Sequence, residues 1–123
     1  MLTIDDVGEI LDEVAGELPE DFYRDLNGGI NLLPESKLHD ADMSNNLFVL
    51  GEYRRDQMGR YIVVYYGSLC RSYPGASVDE MRAHLKKLLI HEFTHHLESL
   101  AGERGLEYKD ARRIAEYREN FRG

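Results

Sequence analysis

Between Ser77 and Gly102 the chain reads SVDEMRAHLKKLLIHEFTHHLESLAG, and its apolar residues recur at a helical spacing. At 100° per residue, Leu85, Leu89, Ile90, Phe93, Leu97 and Leu100 share an arc of about 140°. A helix of this length with one apolar face must be covered by a second layer, so it sets the architecture of the chain around it. Ser77 or Asp79 is placed to cap its start, and Gly102 to end it.

The same stretch carries His91-Glu92-Phe93-Thr94-His95, an H-E-x-x-H pattern. Residues four apart on a helix differ by about 40° in azimuth, so both imidazoles can reach one ion. Zinc accepts neutral imidazole nitrogen, and two such ligands plus a third leave a position for water. The cation lowers the pKa of that water, and a carboxylate next to the first ligand is where a base is needed. A core histidine would lie inside the apolar arc. His91 and His95 instead share a flank, with Glu92 between them and the apolar face.

The rest of the chain suits a soluble domain. Its 123 residues allow one domain, 1–123, with one modest core. Apolar residues make up 42% and charged residues 31%, an ordinary globular balance. The formal net charge is −8, and Arg112, Arg113 and Arg118 are interleaved with acids. That argues against a nucleic-acid or anionic-membrane partner, which needs a basic patch. No segment has the apolar length of a membrane span, and MLTIDDVGEI lacks the pattern of a signal peptide, so the expected compartment is the cytoplasm. Cys70 is the single cysteine; this excludes an internal disulfide and an all-cysteine zinc site, and a half-buried thiol is the expectation for it.

The opening reads as a helix with Thr3 as N-cap and Ile4, Val7, Leu11, Val14 and Leu18 on one side, ended by Pro19. EDFYRDL reads as a short second helix. INLLP, LFVLGEYRR and RYIVVYYG read as strands, the last two joined as a hairpin through DQMG. A last helix is expected over about 111–121, with Ile114, Tyr117 and Phe121 on one side. The layout is α+β: N- and C-terminal helices around a small, mostly antiparallel sheet packed on the long helix.

LLIHEFTHHLESLAGERGLEYKD, with LFVLGEY and GRYIVVYYGS before it, resembles the small bacterial zincin-like metallopeptidase family. The resemblance spans most of the chain, and its specific part is H-E-x-x-H-H. It implies a minimal zincin core, one zinc ion held by His91 and His95, Glu92 as catalytic base, and a peptide or protein substrate. Related sequences continue H-E-x-x-H-x-x-G-x-x-D; here those positions hold Glu98 and Ala101. Glu98 shares the histidine face but lies about 7 Å further along the axis than a shared ion, which suits a surface or supporting role. The third ligand is therefore expected after Gly102, with Asp110 preferred and Glu107, Glu116 or water as alternatives. Asp110 also reads as a plain N-cap, and Glu116 as the partner of Arg112 in an i,i+4 ion pair.

His96 points about 100° from His95 and is expected to hydrogen-bond or pack. His84 is expected on the surface. Tyr61, Tyr65, Tyr66 and Tyr73 are candidates for stabilising an oxyanion, though strand packing accounts for most of them. YIVVYY is expected at the sheet edge, where a peptide would extend. The expected activity is hydrolysis of a peptide bond by metal-activated water. The alternative is a non-catalytic metal- or partner-binding domain that keeps the helix.

Overall fold

The computed structural model describes residues 1–39 and 47–104. Helix α1 spans Ile4–Glu17 and starts with a capping box: the Asp6 N–H donates to Thr3 Oγ1 at 3.1 Å, and the Thr3 N–H donates to the Asp6 carboxylate at 2.8 Å. After Pro19 the chain makes a 3₁₀ turn over Glu20–Tyr23 in place of the expected second α-helix. Strands β1 (Ile30–Leu33), β2 (Gly51–Asp56) and β3 (Gly59–Tyr65) follow, then α2 (Tyr66–Ser72) and α3 (Val78–Arg104). The fold is α+β, three α-helices packed with a three-stranded mixed sheet.

The sheet order is β1-β3-β2, with β1 parallel to β3 and β2 antiparallel to it. This corrects the expectation of a mostly antiparallel sheet. β3 lies between β1 and β2, so those two sequence neighbours are not sheet neighbours. YIVVYY is likewise the centre of the sheet and not its edge. Ile62, Val63, Val64 and Tyr65 are all buried, the pattern of a strand covered on both faces. β2, with Glu52, Arg54, Arg55 and Asp56, is the polar edge strand.

β3 stops at Tyr65, and Gly67 turns the chain into α2. The Gly67 N–H lies 3.1 Å from both the Pro34 and Glu35 carbonyls, and a Cβ there would stand 2.7 Å from the Ser36 nitrogen. Only glycine allows that approach.

Ser77 caps α3. Its Oγ accepts the Glu80 N–H at 3.1 Å, while its own N–H donates to the Glu80 carboxylate at 2.9 Å. All six residues of the expected apolar arc are buried, against Val7, Ile10, Leu11 and Val14 of α1 and Ile62 and Val64 of β3. Phe93 sits fully buried, edge-on to Tyr23 with ring centroids 4.8 Å apart. The helix runs through Gly102 to Arg104, so Gly102 does not end it. The expected helix at 111–121 lies outside the described residues. Among the described residues, no helix is long and apolar enough to cross a membrane.

β2 lies along α3 through three contacts: Gly51 with Leu88, Tyr53 with Glu92 and His96, and Arg55 with Ser99. At Gly51 a Cβ would meet the Val63 carbonyl at 2.8 Å and both Leu88 methyls at 3.2 Å. Gly51→Ala is therefore expected to lower stability by about 1–3 kcal/mol, as overpacking does. Gly16→Ala, with no heavy atom within 4 Å of the added methyl, should be neutral or stabilising by up to about 1 kcal/mol. Thermal unfolding of the two variants checks this, and equal midpoints would contradict the packing assigned to Gly51.

Candidate metal centre

His91 and His95 are exposed on α3, their rings nearly perpendicular at 89° and their Nε2 atoms 3.2 Å apart. Two nitrogens on one tetrahedral ion at 2.0–2.1 Å stand about 3.3 Å apart, so the pair already has the spacing a zinc ion requires. The nitrogens open into a cleft of about 510 Å³ between Gly51, Glu52 and Tyr53 of the edge strand and His91, Glu92, His95 and Ser99 of the helix.

Glu92 is only 5% exposed. Burial pushes its carboxyl up to about 7, against a hydrogen bond from the Tyr53 backbone N–H that lowers it, while the nearby Glu52 charge adds to the rise. Glu52 behaves oppositely. Burial disfavours its charge, yet Lys37, Arg54 at 2.8 Å and the Tyr65 hydroxyl at 2.9 Å all donate to it, and its carboxyl is held below the usual range. Two carboxylates beside one cleft are thus set apart, one held ionised and one poised near neutral pH.

His96 is fully buried, as the hydrogen-bonding role expected for it requires. Its Nε2 lies 2.7 Å from the Arg24 carbonyl, which only accepts, so Nε2 carries the proton. Nδ1 is then the acceptor, and the Tyr53 hydroxyl donates to it at 2.9 Å. Burial holds the imidazole below its ordinary pKa, consistent with this neutral form. Tyr53 is consequently pinned at both ends, its N–H on Glu92 and its hydroxyl on His96. Sequence reasoning missed Tyr53: the two partners are 43 residues apart, and no local pattern links them.

The four tyrosines considered from sequence each have a partner other than the histidine pair. Tyr61 donates to Asp56, Tyr65 to Glu52 and Tyr66 to the Leu2 carbonyl. Tyr73 stacks on His84 at 3.6 Å, and His84 is half-buried there instead of standing on the surface. Cys70 is free and half-buried, as expected. Glu98 is exposed. Among the described residues no set of three His, Cys, Asp or Glu side chains comes together. Asp110, Glu107 and Glu116 lie outside the described residues.

No protein-family model matches the chain, and no curated protein does. Among solved structures it is similar to a conserved hypothetical protein from Thermus thermophilus. The identity is 32% and the TM-score 0.70, over 82% of this chain and 99% of that one. The two proteins belong to one family. The description of the relative names no activity, so the likeness carries the fold and the kinship and leaves the chemistry to the site itself.

The buried Glu92 gives a test that needs no metal. A carboxyl near 7 in the fold and at its ordinary 4.5 when unfolded holds its proton more tightly in the folded protein. Its contribution to stability is full below about pH 4.5 and is lost as pH rises through about 7. Glu92→Gln keeps an acceptor for the Tyr53 N–H and removes the buried charge. In chelator-treated protein at pH 8 it should raise stability by about 1–3 kcal/mol, with the gain shrinking towards pH 5. A loss at pH 8, or a gain independent of pH, contradicts the environment assigned to Glu92.

Proposed function

We propose that this protein is a zinc-dependent metallopeptidase with a minimal zincin-like core. The observation that carries the reading is the pair of exposed imidazole nitrogens 3.2 Å apart, with the buried Glu92 between them and the core. His91 and His95 would hold the ion through Nε2. Bound zinc would supply Lewis acidity, polarising a substrate carbonyl and making water acidic near neutral pH.

Glu92 supplies the base. A carboxyl poised near 7 can take a proton from water entering the cleft and pass it to the amine released when the peptide bond breaks. The water's hydroxyl goes to the carbonyl carbon, so one water is consumed per bond. The Tyr53 N–H fixes the orientation of the carboxyl, and the His96 clamp fixes Tyr53. A peptide substrate is supported by the neighbouring edge strand, whose backbone can pair with an extended chain.

Asp110 would be the third ligand, with Glu107, Glu116 or water as alternatives.

Calorimetric titration with zinc and a peptide-cleavage assay test the reading together. The parent protein should bind one equivalent and cleave peptides. Glu92→Gln should bind the metal and lose at least about a hundredfold in turnover, the lower range for a general base. His91→Ala and His95→Ala should each lose both functions. Zinc uptake by the parent with no cleavage of any peptide, unaltered by Glu92→Gln, would favour a non-catalytic metal-binding domain.

A further inference from the structure

Resting on the peptidase reading, we infer that Asp25 is a positioning residue for the base: its left-handed backbone turns the Arg24 carbonyl onto His96, and through Tyr53 that bond fixes Glu92.

Tyr23 to Leu26 form a β-turn, closed by the Leu26 N–H donating to the Tyr23 carbonyl at 3.0 Å. Arg24 has φ −56° and ψ 126°, and Asp25 has φ 61°. These are the angles of a type II turn, which at its third residue favours glycine or asparagine. Among the described residues Asp25 is the one non-glycine residue with positive φ. That conformation is unfavourable for an L side chain and persists where the surroundings hold it. A type I turn joins the same ends without it. The two forms differ by a rotation of about 150–170° of the Arg24–Asp25 peptide plane, which would carry the Arg24 carbonyl to the other side of the turn.

His96 holds the type II form. Its Nε2 donates to the Arg24 carbonyl at 2.7 Å, and the ring is fully buried, so a flip would leave a buried N–H unpaired. The start of the turn is anchored separately. Phe22 and Tyr23 pack on Phe93 with ring centroids 6.0 and 4.8 Å apart, and the Tyr23 hydroxyl donates to the Ala15 carbonyl at 2.6 Å. The central peptide is therefore the part that can turn.

From that peptide the bonds run to the cleft. With Nε2 committed as donor, Nδ1 accepts from the Tyr53 hydroxyl at 2.9 Å, and the Tyr53 N–H donates to Glu92. In the other tautomer Nδ1 carries the proton and no longer accepts from Tyr53. The strand then loses its hold on the helix, and Glu92 its fixed donor. His91 and His95 are exposed on another face of α3, so metal uptake does not depend on the turn.

The test compares Asp25→Gly and Asp25→Asn, which accept a left-handed backbone, with Asp25→Val, whose branched side chain opposes it. Asp25→Ala, penalised at positive φ without the branching, replaces Asp25→Val should that variant not fold. Zinc affinity is read by calorimetry, kcat and KM on a peptide, and the His96 tautomer by the imidazole nitrogen shifts of metal-free protein in magnetic resonance. Asp25→Gly and Asp25→Asn should keep kcat within about twofold of the parent and keep the proton on Nε2. Asp25→Val should lose about tenfold in kcat, the lower range for groups that orient a site from behind, with KM and zinc affinity unchanged and a mixture of tautomers at His96. Full turnover with an unchanged tautomer in Asp25→Val overturns the inference. So does an equal loss in Asp25→Gly and Asp25→Asn, which would give the role to the carboxylate. If the parent cleaves no peptide, the peptidase reading fails and the catalytic role of the turn with it, and the imidazole shifts distinguish that outcome from a turn that does not hold His96.

Discussion

β2 and α3 run in the same direction, and their repeats almost match: two strand residues advance about 6.6 Å and four helix residues about 6.0 Å. That near-coincidence lets every second residue of the strand meet a successive turn of the helix, Gly51 at Leu88, Tyr53 at Glu92 and His96, and Arg55 at Ser99. The site depends on it. With the strand one residue out of register, Tyr53 would face away from the helix, and neither Glu92 nor His96 would keep its partner.

The same packing divides the helix into environments a few ångströms apart. His91 and His95 stay in solvent, where a cation can reach them, while Glu92 is nearly closed off and its carboxyl rises towards neutral. Burying a carboxyl is unfavourable unless something donates to it. Here the donor is a backbone N–H of an edge strand, a group that no side-chain substitution at Tyr53 short of proline removes. His96, one residue past His95, faces inward and ties the strand to the Arg24 carbonyl. The two adjacent histidines thus serve separate purposes, His95 on the cleft and His96 in the frame that supports it.

Features controlled by local chemistry were legible in the sequence. The N-cap at Thr3, Ser77 as one of two candidate caps of α3, the apolar arc of α3 and the shared flank of His91 and His95 follow from spacing along one helix. What escaped the sequence reading depends on pairing at a distance. The parallel β1–β3 pair, the central place of YIVVYY and the Tyr53–His96 hydrogen bond each join segments whose adjacency no periodicity encodes. Gly102 misled for a different reason. A glycine near a helix end suggests a stop, but its cost inside a helix is only about 1 kcal/mol, and α3 continues through it.

X-ray absorption at the zinc edge, on protein loaded with one equivalent of the metal, addresses the central claim most directly. The account predicts two imidazole nitrogens at about 2.0–2.1 Å in the parent protein, a shell that His91→Ala and His95→Ala each abolish. A coordination shell without imidazole, or one that neither substitution alters, would contradict it.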